Sequence, residues 1–393
     1  MLQSAQIFSL GLRVIWVQFP RCFKVADCMT PHLFRLFKKF LLGFLGAVLI
    51  GLGISQFSAS NADVTFYYAI TDLGTLGSDP FTYPVAINNA GQVVGVTRSS
   101  SGVFPGPPRS GNHAFLWQNG TMTDLGSLGG TYKFVSGLNN LGQVVGFSQT
   151  SQGSEHVFLW QNGTMTDLGS LVGENASSRA YGINDLGQVV GYSYPASSTN
   201  LGGSEAFLWQ SGTMTNLGNL IGGYSKAHRI NNTGQIVGVL NNTSGSFTYD
   251  GFLLQNGSLT NLSNIYPYDM NNQGQIVGDI GIGIGVGHDE RAGLWQNGTI
   301  TDLGTLGGSY SYSYAWGIND AGTVVGEAAT SGADHAFVYK NSQMSDLNNF
   351  LPANSGWELL GAMDINDNGQ IVAIGMFSGQ KRGVLLTPIT IVN

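Results

Sequence analysis

The fold class this sequence predicts is all-β: a seven-bladed β-propeller of four-stranded antiparallel blades. Three observations predict it. One multi-strand phrase recurs along the chain about every 46 residues. Each copy reads as two β-hairpins, with no helical periodicity between them. The strand missing from the last copy stands spare ahead of the first, so the two ends complete one blade between them.

Three phrases make up the repeat. The strand-like AFLWQNG begins at Ala114, Val157, Ala206, Gly251, Ala292 and Ala336. TDLG or a near variant begins at Thr71, Thr123, Thr166, Thr215, Thr260, Thr301 and Ser345. INNxGQVVG places its central glycine at Gly91, Gly142, Gly187, Gly234, Gly274, Gly322 and Gly369. In AFLWQNGTMTDL two apolar runs flank Asn-Gly, a pair that tolerates positive φ and makes a two-residue type I′ turn, hence a hairpin. In AYGINDLGQVVG, Asn184 bonds nearby backbone to start a turn and Gly187 closes it in the left-handed conformation, hence a second hairpin.

Inside a blade the expected order is AxGIN innermost, GQVVG next, FLW third and TDL outermost. The last unit ends GVLLTPITIVN without a TDL strand, whereas Val64–Asp72 precedes the first complete unit. Those residues are therefore expected to pair with Gly383–Thr387 and close the ring. A blade cannot bury both faces of its sheet alone, which is why every unit repeats one packing code. Trp117, Trp160, Trp209 and Trp295 fill one slot of that code and are read as core.

Composition narrows the function. Only 10% of the 393 residues are charged, and 58 glycines are roughly twice the usual share. Residues 1–62 carry six basic side chains and one acid, leaving the remainder with 10 basic and 22 acidic, a formal −12. That sign repels phosphate backbones, so no nucleic-acid partner is expected. Cys22 and Cys28 both precede the repeats, so thiols hold neither a disulfide nor a metal in the main domain.

Residues 1–62 read as a secretory signal region. Arg35, Lys38 and Lys39 precede the apolar run Phe40–Ile54, and Ser60-Asn61-Ala62 supplies small residues for cleavage after Ala62. Met29 is an alternative start. The run is short for the roughly 20 residues that span a bilayer, so cleavage is expected rather than a retained anchor, and no membrane contact is expected beyond this segment. Residues 63–393 form the propeller.

The combination FLW, NG, TDLG, GIN and GQVVG resembles the HAF repeat of secreted bacterial proteins, named for the triplet at His113-Ala114-Phe115 and His335-Ala336-Phe337. The likeness covers nearly all of residues 64–393. It implies an extracellular or cell-surface protein and transfers no catalytic residue. Glu205, Asp250, Arg291 and Arg382 stand where the histidine would be in other units.

No metal or cofactor is expected. His113, His156 and His335 share one repeat slot and so fall on separate blades, too far apart to share an ion. Asn-Asp-x-Gly at 184–187, 319–322 and 366–369 lacks the further ligands of a calcium loop and reads as a turn. The TDLG aspartates Asp72, Asp124, Asp167, Asp302 and Asp346 give way to Asn216 and Asn261, a swap that a turn residue tolerates and a general acid does not. With no nucleophile elbow, zincin motif or phosphate loop, the chain is expected not to be an enzyme.

Function on a repeating scaffold needs positions where the repeats disagree. Just before the Ile or Met of the inner strand, four blades carry Ala86, Gly137, Gly182 and Gly317, and three carry Arg229, Asp269 and Asp364. These charges either line a central channel and touch a polar ligand or pair across blades. One position earlier stand Val85, Ser136, Tyr181, His228, Tyr268, Trp316 and Met363. Further aromatics, among them Tyr83, Phe134, Tyr266 and Tyr314, are read as connections crossing one face of the ring. The expected binding residues are Tyr181, His228, Arg229, Tyr268, Asp269, Trp316 and Asp364. Rings among amides and hydroxyls suit a glycan or an extracellular protein ligand. The expected function is thus a secreted or cell-surface, non-catalytic binding module. The alternatives are a structural envelope component and a polysaccharide hydrolase or lyase.

Overall fold

A computed structural model describes residues 64–392 apart from 100–112, 174, 196–202, 219–223, 242–248, 282–289 and 308–311. The predicted signal region therefore lies outside the described residues. Among the described residues no helix is long and apolar enough to cross a membrane.

Seven antiparallel four-stranded sheets make up the propeller. Blade one runs outward through Phe81–Ile87, Val93–Arg98, His113–Gln118 and Thr121–Asp124, and blades two to six repeat that order. Blade seven takes Trp357–Ile365, Ile371–Phe377 and Gln380–Val392 from the C-terminus and Val64–Asp72 from the N-terminus as its outer strand. Leu73 N donates to Gly383 O at 3.0 Å beyond that last ladder. Strand order and closure are those the phrases predict.

The turns also follow the residues that form them. Asn119-Gly120, Asn162-Gly163 and Asn297-Gly298 have φ near +50° and +85°, the two positive angles a type I′ turn requires. At the inner hairpins the glycine is left-handed, as at Gly187 (φ +73°). Asn184 Oδ1 accepts from Leu186 N and Gln188 N at 3.1 and 3.0 Å, which sets the turn.

The core is deepest two residues before the tryptophan slot. Phe115, Phe158, Phe207, Phe252 and Phe337 are fully buried, whereas Trp117 and Trp160 are buried and Trp209 and Trp295 half-buried. Beside each phenylalanine lies the glycine of VVG. A Cβ on Gly191 would sit 2.0 Å from Arg179 O, and one on Gly238 2.0 Å from Lys226 O. No side chain fits, because the inner strand bulges there and brings its carbonyl close. Blade seven carries Ala373 in this slot, and its inner strand has an additional register shift between Leu359 and Gly361.

Two closed rings of hydrogen bonds join the blades at the hub. Asn88 Nδ2 donates to Asn139 O at 3.0 Å, and the same bond links Asn139 to Asn184, Asn184 to Asn231, Asn231 to Asn271, Asn271 to Asn319, Asn319 to Asn366 and Asn366 back to Asn88. The next residue repeats the device from backbone to side chain. Asn89 N donates to Asn140 Oδ1, and the succession runs through Asp185, Asn232, Asn272, Asp320 and Asp367 to return to Asn89 Oδ1. The first asparagine of INNxG is thus both the turn residue the sequence indicates and a clamp on its neighbour.

The histidine slot finds its partner at the rim. His113, His156 and His335 lie against Asp124, Asp167 and Asp346 at 2.7, 2.9 and 2.7 Å. Arg291 and Arg382 replace histidine and pair with Asp302 and Asp72. Where Glu205 stands instead, the aspartate has become Asn216, whose Nδ2 donates to Glu205 at 2.7 Å. The two slots change together, so the Asp-to-Asn exchange answers a charge in the third strand. The aspartates also hold the turn after their strand, as Asp124 Oδ1 does for Gly126 N at 2.9 Å.

Candidate functional site

A channel runs along the axis, and the bulge in every inner strand shapes it. Each bulge leaves one residue unpaired between two paired ones: Tyr181 between Ala180 and Gly182, His228 between Ala227 and Arg229, Trp316 between Ala315 and Gly317. The unpaired positions of all seven blades are Val85, Ser136, Tyr181, His228, Tyr268, Trp316 and Met363, and together they line one chamber of the channel, about 200 Å³ in volume. Phe134, Tyr266 and Arg229 complete its wall. A second chamber of about 190 Å³ opens at the asparagine rings. The two share Tyr181, Arg229 and Trp316 among their lining residues.

All seven expected binding residues therefore meet at this hub. Tyr181, His228, Arg229, Tyr268 and Trp316 line the first chamber; Asp269 and Asp364 line the second. Tyr83, Phe134, Tyr266 and Tyr314 are corrected in one respect: they belong to the inner strands and are not connections between blades.

The rings are concentrated on one side. Tyr181 lies 5.5 Å from His228 between centroids, His228 5.4 Å from Tyr266, Tyr266 5.2 Å from Tyr268, and Tyr268 4.6 Å from Trp316. Contacts at these separations let each ring hold the next in orientation. The wall thus formed spans blades three to six, while blades one, two and seven supply Val85, Ser136 and Met363. Burial pushes the His228 imidazole down to about 4, so it is neutral at physiological pH. Its Nδ1 lies 2.9 Å from Pro267 O, which only an N–H can satisfy, leaving Nε2 as an acceptor.

The charges both pair and line the channel. Arg229 Nε donates to Asp269 at 3.2 Å, and its Nη1 donates to Tyr181 O and His228 O at 2.8 and 3.0 Å, so one guanidinium joins blades three, four and five. Asp269 Oδ2 accepts from Ile318 N of blade six at 3.0 Å. Asp364 accepts from Ile87 N of blade one at 2.9 Å and from Ile365 N at 2.8 Å. Burial raises the pKa of both carboxyls. Arg229 opposes the rise at Asp269, whereas the Asp269 charge adds to it at Asp364, pushed up to about 7.

Two acids outside the seven expected binding residues, Asp279 and Glu327, lie behind the aromatic wall. Asp279 and Glu327 follow the VVG glycine in blades five and six, the slot filled by Val96, Phe147, Tyr192, Val239 and Ile374 elsewhere. Asp279 is 9% exposed and accepts from the Tyr268 hydroxyl at 2.5 Å. Glu327 is 3% exposed, and a Cβ on Gly361 of blade seven would come 2.8 Å from its Oε2. Asp279 Oδ1 has no hydrogen-bond partner, whereas Glu327 has the Trp316 indole N–H beside it. Comparing one slot across the seven repeats would have found both, as it found Arg229.

Neither a family model nor a curated protein matches the chain by sequence. Among solved structures it is similar to the β-propeller domain of the Trilobed protease from Pyrococcus furiosus, with a TM-score of 0.53 at 8% identity over 79% of this chain and 94% of that one. It is also similar to a streptogramin B lyase (TM-score 0.49, 12% identity, 82% of this chain and 98% of that one). A gluconolactonase from Xanthomonas campestris gives 0.38 at 12% identity over 67% and 91%. At these identities the likeness shows the fold alone. The expectation that the chain is not an enzyme is overturned, since the same fold occurs as a domain of a protease and gives no ground for setting catalysis aside.

Proposed function

We propose that this protein is a secreted or cell-surface recognition module that takes a glycan, or a segment of a surface protein, in the aromatic chamber of its channel. The observation that carries the reading is the broken symmetry of the bulge positions. Seven equivalent sites line one cavity, yet blades three to six fill theirs with rings, and Arg229 stands beside them. Ring faces stack on the apolar faces of sugars, while the neutral His228 and the Arg229 guanidinium offer polar contacts to hydroxyl or carbonyl oxygens. The signal-like residues 1–62 and the resemblance to HAF repeats support the extracellular part of the reading.

The test is binding of the purified protein to an array of glycans and envelope polysaccharides. A reproducible hit lost in Trp316→Ala supports the reading, and a hit that survives Trp316→Ala and Tyr181→Ala moves the site elsewhere. A second reading rests on Asp269 and Asp364. Two buried carboxyls in one channel, one titrating near neutrality, are the parts of an acid–base pair for a hydrolase or lyase. Turnover of a bound polysaccharide that stops in Asp364→Asn would establish it.

A further inference from the structure

We propose that the blade-five and blade-six wall of the aromatic chamber recognises a cationic ammonium group of the ligand, seated against the faces of Tyr268 and Trp316. The inference rests on the chamber reading above and names the chemistry it selects.

Three observations converge on this wall. Tyr268 and Trp316 are the closest pair of channel rings, 4.6 Å between centroids, and both present to the cavity. Ring faces carry negative potential and attract an ammonium group, most strongly once it is desolvated. Directly behind the wall, only blades five and six replace an apolar side chain with an acid, Asp279 and Glu327. Both residues are more than nine-tenths buried; Glu327 has the Trp316 indole N–H beside it, so the acceptor left without a donor is Asp279 Oδ1. Such an orphaned acceptor is costly unless something compensates it. A cation held on the far side of the rings supplies that compensation, because a low-dielectric interior screens its field weakly.

Behind the rings the charges are mostly acidic, and Arg229, the cation in the chamber lining, is held by Asp269 at 3.2 Å. Asp279 faces Tyr266, Tyr268, Glu290 and Glu327. Glu327 faces Tyr314, Trp316, Asp334 and Lys381. The Tyr314 and Tyr312 hydroxyls donate to Glu290 and Asp334. Acids thus outnumber the one lysine, and the phenols spend their protons on them. Burial raises both carboxyls, Glu327 to about 8, so Glu327 keeps its proton near neutral pH when no cation lies against the wall. A cation at the wall favours the ionised form, so its binding releases protons and tightens as pH rises towards 8.

The experiment uses the full chain labelled with ¹⁵N, reading the indole N–H signal of Trp316, assigned by Trp316→Phe. The probes are tetramethylammonium and its neutral counterpart tert-butanol. The expected result is a saturable shift with tetramethylammonium, at least about tenfold weaker with tert-butanol. The Asp279→Val and Glu327→Val variants, which restore the side chain of neighbouring blades and so keep the packing code, are expected to lose that preference. Equal response to both probes, or a preference unchanged in the two valine variants, overturns the inference. If neutral glycans shift Trp316 while tetramethylammonium does not, the chamber reading stands and the cation falls. If neither does, while a glycan binds elsewhere, both fall.

Discussion

Glu327→Val is the substitution whose effect can be worked furthest from the structure. The carboxyl is 3% exposed, and burial, with Asp334 adding to it, pushes it from 4.5 to about 8. Between those values the folded chain keeps a proton that the unfolded chain has released. The native state therefore binds more protons, and stability falls as pH rises from about 4.5 to about 8. A rise from 4.5 to about 8 makes that loss on the order of 5 kcal/mol, an upper bound because a chain relaxes around a charge. Valine, found at the equivalent Val96 and Val239, removes the titration and leaves the packing code intact. The variant should match the wild type within about 1 kcal/mol at pH 4 and exceed it by several at pH 8.5. At roughly 2 °C per kcal/mol the advantage in Tm approaches about 10 °C at the higher pH. Thermal unfolding at the two values decides it. A Tm difference that does not change with pH, or one that favours the wild type at pH 8.5, would refute the buried, protonated carboxyl on which the reasoning rests.

Other substitutions test the scaffold. Asn231→Ala removes the clamp to Asn271 O and strands the Thr233 and Gln235 amides, so a denaturant titration should show a loss of about 3 kcal/mol. Gly191→Ala drives a Cβ to 2.0 Å from Arg179 O, a backbone atom that cannot swing aside, and should cost at least about 3 kcal/mol or prevent folding. Asn216→Asp sets a carboxylate against Glu205, where the amide now donates at 2.7 Å, and should destabilise by about 1 kcal/mol; adding Glu205→His should recover it, as a double-mutant cycle of Tm values will show.

The fold was legible because its determinants are local and repeated. Asn-Gly can make only a few turns, and the spare strand at Val64–Asp72 announces the partner it needs. The channel was legible in part. Arg229, Asp269 and Asp364 stand out because four other blades carry alanine or glycine there, and the bulges explain why the neighbouring residues face the cavity. Arg229 pairs with Asp269 across blades, and all three charges line the channel, so the structure favours neither open reading over the other. The carboxyls of Asp279 and Glu327 do not stand out, because their slot looks like ordinary strand interior until its seven occupants are set side by side. The Asn rings were half read: the turn made by Asn184 is local, but its bond to Asn231 O spans 47 residues and exists only once the ring closes. The exclusion of catalysis failed for a different reason, since missing motifs say nothing about acids assembled from separate blades.

The most direct test of the chamber as the binding site is to map ring and indole chemical shifts as the first glycan or peptide hit is titrated in. The account predicts that the largest changes fall on Tyr181, Tyr266, Tyr268 and Trp316, with Trp117 and Trp160 in the blade cores unmoved. Changes confined to the outer hairpins, or to the asparagine-ring mouth with Tyr268 and Trp316 silent, would contradict it.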